Sequence, residues 1–208
     1  MLNHYFFLIL LMSTFMISAQ EKPMTSSEKS SFKEKVIRVS KNTETIRSEF
    51  VQYKHLEFLT SEVKTSGNLY FKAPDRVKWE YTDPFQYSVI FKNDQLLIND
   101  GGSKSKIDIG SNRLFKTLNQ LIIHSVRGDM FEDSEFEILF FNTPRFEKVV
   151  FIPRDKNVQA YISQFEMYFN AGAEVVEVKM VEPSKDFTRI VFRNRILNAA
   201  VHDSVFSN

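Results

Sequence analysis

The feature that most constrains the fold is an alternation of apolar and polar side chains that starts near residue 46 and breaks at turn-forming residues. It is clearest in GNLYFKAPDRVKWEYTDP, residues 67–84. Apolar and charged positions alternate there one by one, with Val77, Trp79 and Tyr81 on one side and Arg76, Lys78 and Glu80 on the other. A period of two with one apolar side is typical of an antiparallel strand that covers a core on one face and meets water on the other.

The breaks between these segments are dipeptides typical of turns: Pro74-Asp75, Asp83-Pro84 and Asn93-Asp94. Short connections of this kind predict an antiparallel meander. We predict strands at 46–58, 62–72, 76–82, 86–92 and 95–100, and again at 135–142, 146–152, 161–169, 174–182 and 187–197. A sheet of this many antiparallel strands tends to curl or to close.

Two segments have helical periodicity instead. Residues 28–45, with Ser27 as a candidate cap, repeat apolar side chains near helical spacing. Residues 111–126 do the same before a stop at Gly128, and a short turn is expected over 129–133. The predicted fold class is therefore mainly β with helices (α+β): a strongly curved antiparallel sheet covered on its concave side by an N-terminal helix and a mid-chain helical lid.

The first nineteen residues predict a secretory signal peptide. They hold no Lys, Arg, Asp or Glu, and an apolar run is followed by the small residues Ser18 and Ala19. An uncleaved membrane anchor is the alternative, although the run is short for a bilayer. We expect a signal peptide at 1–19, a flexible lead-in at 20–27 and one domain at 28–208, exported in soluble form.

The composition excludes several functions. The chain has no cysteine, which rules out disulfides, thiolate chemistry and lipidation on cysteine. Its 27 basic and 26 acidic residues leave a charge of +1, so no electrostatic argument favours a nucleic-acid partner. Arg189, Arg193 and Arg195 are locally dense, and we interpret them as one solvated strand face.

No catalytic or metal-binding motif is present. His4 leaves with the signal, and His55, His124 and His202 lack the spacing of metal ligands. Gly101-Gly102 fits a turn better than a phosphate loop, and the acidic positions Glu135 and Glu137 fit surface charges better than an acid–base pair. We expect no enzyme activity, no metal and no cofactor.

Aromatic content is the chemistry that remains, since the chain has 21 phenylalanines. A concave apolar surface closed by amphipathic helices would suit a lipid, because each buried methylene contributes roughly 0.8 kcal/mol. The alternative is that the aromatic side chains only fill a dry core, and composition does not separate the two.

The 67–84 block, followed by a strand and then NDQLLIND, resembles the periplasmic outer-membrane lipoprotein carriers, the LolA-like family. Residues 46–52 resemble that family's first strand, 187–194 its penultimate strand and 205–206 its final segment. The resemblance spans about residues 28–206 and implies an unclosed barrel covered by helices. It implies a hydrophobic cavity that shields lipoprotein acyl chains, with no chemistry performed.

On this resemblance we assign candidate lipid-binding residues. Those on the sheet face are Leu69, Phe71, Val77, Trp79, Tyr81, Val89 and Phe91, and those on the lid are Leu114, Leu118, Leu121 and Ile122. The family's arginine before the first proline is replaced here by Ala73. Arg76 is the candidate substitute for a lid latch, although alternation puts it on the face opposite Trp79.

The implied partners are acylated lipoproteins or other lipids, an inner-membrane lipoprotein release complex and an outer-membrane acceptor. The acceptor shares the fold but is itself lipidated, so the lack of cysteine favours the carrier. We expect a periplasmic monomer. Three alternatives remain: a carrier of a fatty acid, aryl-polyene lipid or glycolipid, a lipoprotein-sensing interaction module, and an exported enzyme on a curled sheet.

Overall fold

The computed structural model describes residues 21–92, 95–108, 123–124, 129–132 and 134–207. The helices whose bounds lie in these ranges are α1 (Ser26–Lys41) and α2 (Lys156–Gln159), with 3-10 turns at Met130–Glu132 and Asp203–Phe206. Residues 123–124 are also helical. The strands are β1 (Lys22–Pro23), β2 (Thr45–His55), β3 (Val63–Lys72), β4 (Arg76–Asp83), β5 (Tyr87–Lys92), β6 (Gln95–Asp100), β7 (Ser103–Asp108), β8 (Phe136–Asn142), β9 (Glu147–Pro153), β10 (Gln164–Phe169), β11 (Val175–Val181) and β12 (Phe187–Leu197).

All twelve strands of the described residues form one sheet in the order β1-β8-β9-β10-β11-β12-β2-β3-β4-β5-β6-β7. Every pairing is antiparallel, and β1 and β7 are the two edges. The predicted fold class, a mainly antiparallel unclosed sheet with helices, is confirmed. The predicted lid at 111–126 lies almost wholly outside the described residues.

Helix α1 begins two residues earlier than predicted, and its cap is Thr25 rather than Ser27. The Thr25 hydroxyl accepts from the backbone N–H of Glu28, and the Glu28 carboxylate accepts from the Thr25 N–H at 2.7 Å. This reciprocal pair satisfies two backbone donors of the first turn. The helix ends at Lys41 instead of residue 45, because Thr45 already belongs to β2.

The segment before α1 is bound to the sheet, which corrects the prediction of a flexible lead-in. Lys22 and Pro23 pair with Asn142 and Phe141 on β8, and Met24 is buried. Three further elements were not predicted: β1, the edge strand β7 and the short helix α2. Because α2 and the turn after it occupy residues 156–163, β10 begins at Gln164 rather than at 161.

Cross-strand register shows that one face of the sheet is continuous from end to end, since directly paired residues point to the same side. On one half, the paired residues are Ile46, Phe71, Val77, Phe91 and Leu96. On the other half, Ile190, Val178, Met167, Val149 and Phe140 are paired in the same way. Gln52 pairs with Ile190 and joins the two halves. We call this the inner face.

Helix α1 covers the β8–β11 half of the inner face. Its Phe32 and Val36 are buried against phenylalanines of the strands, and the Phe32 ring lies 5.1 Å from that of Phe169. Edge-to-face contacts such as this one stabilise the core beyond the burial of apolar area alone. The position of α1 confirms that the N-terminal helix lies on the sheet's apolar side.

The outer face is not uniformly exposed to water, contrary to the alternation-based prediction. Tyr70, Ile90 and Leu97 stand on it in register, and the C-terminal segment covers them with Val201, Val205 and Phe206. Ile90 and Phe206 are 1% and 0% exposed. The chain end therefore closes a second, smaller core on the back of β3–β6.

Candidate functional site

The centre of the inner face carries a group of aromatic rings brought together by four strands. Phe50 on β2 meets Trp79 and Tyr81 on β4, with 5.1 Å between ring centroids in both pairs. Phe192 on β12 lies 6.0 Å from Trp79, and Tyr87 on β5 lies 5.9 Å from Tyr81. We call these five residues the aromatic cluster. Phe50 is 1% exposed, whereas the other four are only half-buried and present accessible ring surface.

Gly67 is the reason that two of these rings can meet. It pairs with Phe50 on one side and Tyr81 on the other, so it occupies the inner-face position between them. A register shift lies between Ser66 and Gly67, and a Cβ at Gly67 would stand 1.9 Å from the Glu80 carbonyl oxygen. A glycine in a strand commonly marks such a close backbone approach, and here the Phe50 and Tyr81 rings fill the space above it.

The seven predicted sheet residues do share the inner face, but the structure divides them into two groups. Phe71, Val77 and Phe91 are at most 7% exposed and belong to a closed cluster with Ile46 and Leu96. Since a side chain without accessible surface offers nothing to a ligand, we assign these three to the core. The half-buried members are Leu69, Trp79, Tyr81 and Val89, and they form the accessible part of the predicted set.

The predicted lid residues Leu114, Leu118, Leu121 and Ile122 lie outside the described residues. Three members of the aromatic cluster, Phe50, Tyr87 and Phe192, were missed as site residues by the sequence reasoning. Alternation on each strand could have placed them on an apolar face. The meeting of Phe192 with Trp79 depends on the pairing of β12 with β2 across about 140 residues, which no local pattern contains.

The polar groups among these rings are uncharged. The Tyr81 hydroxyl donates to Gln52 Oε1 at 3.1 Å. Thr65 pairs with Gln52 on the inner face, and its hydroxyl is buried without a hydrogen-bond partner in the described part of the chain. A mostly apolar surface with a few neutral polar groups is typical of a site for an apolar ligand.

Burial raises the pKa of the Tyr81 phenol to about 12, and the neighbouring Tyr87 contributes. A raised pKa in the folded state means that the protonated phenol stabilises the fold fully below the ordinary tyrosine pKa of about 10. This contribution is lost as pH rises through about 12. We expect Tyr81→Phe to flatten the loss of stability between these values, as measured by urea denaturation at a series of alkaline pH values. An unchanged slope would show that Tyr81 is hydrated.

Arg76, the candidate latch, lies on the outer face and binds the C-terminal segment. The Arg76 guanidinium is 2.9 Å from the Asp203 carboxylate and lies over the Phe206 ring. The same carboxylate also accepts a hydrogen bond from Lys72 Nζ at 2.5 Å. Lys72 and Arg76 lower the pKa of the Asp203 carboxyl. The described contacts of Arg76 therefore anchor the chain end and lie on the side of the sheet away from Trp79, which argues against a latch at this residue. Ala73 packs against the closed Phe71 cluster.

Arg195 is not part of a solvated face with Arg189 and Arg193. Asn194 has φ 50° and lies in a bulge of β12, between Arg193 paired with Glu49 and Ile196 paired with Arg47. The extra residue turns Arg195 to the inner side, where it donates to the Val175 carbonyl at 3.0 Å. Burial lowers the pKa of the Arg195 guanidinium, and Glu174 opposes the shift.

A hollow of about 350 Å³ lies at the end of β4–β6. Most of its lining residues are polar, such as Lys78, Glu80 and Asn99, but Tyr81 and Tyr87 of the aromatic cluster also line it. The polar part of this lining suits water better than an acyl chain, so the apolar inner-face side of the aromatic cluster remains the candidate site.

An unclosed antiparallel sheet with a helix on its inner face is the fold class of the LolA-like proteins. The model of the family described as outer membrane lipoprotein carrier protein LolA matches residues 41–208, and the chain belongs to this family. No curated protein sequence matches the chain.

Solved structures share the fold at low sequence identity. A DUF1329 family protein from Desulfovibrio piger ATCC 29098 superposes with a TM-score of 0.51 at 13% identity, over 86% of this chain and 96% of that one. The MucA/MucB complex structure from Pseudomonas aeruginosa gives 0.51 at 12% identity, over 86% of this chain and 60% of that one. At such identities the likeness shows the fold alone.

None of the helices in the described ranges is both long and apolar enough to cross a membrane.

Proposed function

We propose that this protein is a periplasmic carrier that shields the acyl chains of lipoproteins on its inner face while they pass between the inner and outer membranes. The observation that carries the proposal is the aromatic cluster. Trp79, Tyr81, Tyr87 and Phe192 remain half-buried on the apolar side of a sheet that belongs to the lipoprotein carrier family. A packed dry core would not leave four large rings accessible at its centre.

The arrangement favours reversible binding. Acyl chains held by apolar contact gain roughly 0.8 kcal/mol per buried methylene. Among the described residues, no lysine or arginine lies over the ring of Phe50, Trp79, Tyr81, Tyr87 or Phe192. The cargo would therefore be held at these rings by apolar contact and not by an ion pair. Because apolar contacts are not directional, the acyl chains can pass to another apolar surface of similar depth at small free-energy cost. Loading from an inner-membrane release complex and delivery to an outer-membrane acceptor both need such an exchange.

The test is a comparison of two peptides that differ only in acylation. The mature protein, freed of lipid, is incubated with a triacylated lipopeptide in detergent-free buffer and separated by size exclusion. We expect the acylated peptide to elute with the protein as a one-to-one complex and the deacylated peptide to elute alone.

Three other outcomes are informative. If the protein binds neither peptide but takes up a free fatty acid, the cargo is a different lipid. If both peptides bind equally, the protein recognises the peptide and the sensing alternative gains support. If nothing apolar binds, the carrier proposal is wrong.

A further inference from the structure

The exposed large hydrophobic side chains of the described residues concentrate at one end of the sheet. Seven such side chains are known, and five lie there: Phe58, Leu59, Val63, Phe85 and Tyr161. The remaining two, Leu139 and Ile196, stand apart on the outer face. Single exposed apolar residues are ordinary on protein surfaces, whereas a group of them marks an interaction site.

Strand register shows that these residues share one end. Lys54 pairs with Val63 across the β2–β3 hairpin, and Tyr81 pairs with Tyr87 across the β4–β5 hairpin. Both hairpin turns therefore lie at the same end of the strands. The β11–β12 turn lies there as well, because Phe187 pairs with His55. Tyr161 is close to that turn, because the Ser163 N–H donates to the carbonyl of Val181, which pairs with Phe187. We call this end, formed by the loops at 56–62 and 84–86 together with Val63, the apolar rim.

The rim side chains stand on protruding turns. Phe58 is 78% exposed and Leu59 39%, and both lie in the β2–β3 turn, with Val63 at 48% where β3 begins. Phe85 is 52% exposed in the β4–β5 turn. Four apolar groups on two neighbouring tips offer little of the flat, complementary area that a stable protein interface needs, roughly 800 Å² on each partner. Protruding tips suit insertion between lipid headgroups.

The charge of the apolar rim indicates which kind of membrane it can bind. Residues 54–64 contain two basic and two acidic side chains, Lys54 and Lys64 against Glu57 and Glu62. Lys54 forms an ion pair with Glu182 across the same end. A surface without excess positive charge gains little from anionic lipids, which attract basic clusters. Insertion at this rim would rest on apolar contact and occur at neutral bilayers.

The rim is continuous with the aromatic cluster. The Phe85 ring stacks on that of Tyr81, with 6.3 Å between centroids and 24° between planes, and Tyr81 meets Phe50 inside the cluster. An acyl chain that leaves a bilayer at the Phe85 tip would therefore meet aromatic surface at once. Because the rim and the aromatic cluster form one apolar surface, a ligand that comes from a membrane could pass from one to the other.

We propose that the apolar rim is a membrane-docking surface: the tips carrying Phe58, Leu59 and Phe85 insert into the interface of a neutral lipid bilayer and bring the aromatic cluster to the membrane. The proposal rests on the carrier function, since it supplies the route by which an acylated ligand enters or leaves the inner face.

The test is flotation of the mature protein with phosphatidylcholine vesicles, with and without phosphatidylglycerol. We expect the wild type to float with both, with a partition coefficient that changes less than about threefold on adding salt. The double variant F58S/L59S should bind at least tenfold more weakly, and F85S should show an intermediate loss. The matched control is L139S/I196S, which removes two exposed apolar side chains away from the rim and should bind as the wild type does.

Several results would overturn the proposal. They are absence of flotation, flotation that needs phosphatidylglycerol and disappears in salt, and equal loss in the control variant. A wild type that forms dimers through the rim, with F58S/L59S monomeric and no vesicle binding by either, would assign the surface to a second copy of this chain.

A parallel measurement separates this proposal from the carrier function. A monomeric short-chain fluorescent fatty acid, kept below its micelle concentration, should bind F58S/L59S as well as it binds the wild type, because neither residue belongs to the aromatic cluster. Normal vesicle docking without uptake of the monomeric ligand would refute the carrier function and leave the rim assignment standing.

Discussion

Trp79→Glu is expected to reduce the affinity for an acylated ligand at least a hundredfold while the fold remains intact. Trp79 contacts both Phe50 and Phe192 near the middle of the accessible inner face. A carboxylate there must lose its water when an acyl chain is bound, and an unpaired buried charge costs several kcal/mol. A hundredfold loss corresponds to only about 2.7 kcal/mol, so the expectation is conservative.

The fold should survive this substitution because Trp79 is only half-buried in the structure. A glutamate at this position can remain hydrated when no ligand is bound. The measurement is a titration with a fluorescent fatty acid or an acylated peptide, together with thermal unfolding. Trp79→Phe is the matched variant and should bind within about threefold of the wild type, since it keeps an aromatic ring.

Two results would contradict this account of the site. Unchanged ligand affinity in Trp79→Glu would show that the acyl chain binds elsewhere. Equal loss of affinity in Ile196→Glu, which places the same charge at an exposed position of the outer face, would show that net charge rather than the aromatic cluster decides binding.

Gly67→Ala is expected to destabilise the protein by about 3 kcal/mol or more, because the added methyl would overlap the backbone of β4. The Cβ would stand 1.9 Å from the Glu80 carbonyl oxygen and 2.8 Å from the Tyr81 Cα. Neither atom is the end of a side chain that can rotate away, so β3 and β4 must separate. For a chain of this size the midpoint of thermal unfolding should fall by roughly 6–12 °C.

The matched control for this prediction is Ser66→Ala, the preceding position on β3, which should change the midpoint by no more than about 2 °C. A Gly67→Ala variant as stable as this control would contradict the close approach of the two strands. The same variant should also weaken ligand binding, since Phe50 and Tyr81 pair with Gly67 and would be displaced with the strands.

Alternation in the sequence was sufficient to predict most strands and their inner-face residues. It works where one face is apolar and the other is polar, as in Val77, Trp79 and Tyr81, because burial of one face fixes the register. It fails for β7, whose residues SKSKID are nearly all exposed. An edge strand of this kind forms through its hydrogen bonds to β6, and its lysines prevent pairing with another chain. Neither property produces an alternation of apolar and polar residues in the sequence.

Other features of the site depend on tertiary structure. The turn of Arg195 to the inner side follows from the positive φ of Asn194, and the sequence RNR contains no sign of a bulge. The cover of the outer face by Phe206 places the chain end against β5, which alternation alone does not predict. The division of the predicted sheet residues into core and accessible groups likewise depends on how tightly each row is packed, as the contrast between Val77 and Trp79 shows.

Native mass spectrometry of the mature protein, isolated from the periplasm of a Gram-negative host without detergent, tests the central claim most directly. The account predicts a fraction of the protein carrying one acylated lipoprotein or lipid, and no such species in Trp79→Glu. A wild-type protein that is empty on isolation and stays empty after incubation with acylated peptides and free fatty acids would contradict it, and would show that the inner-face aromatic rings serve only as core.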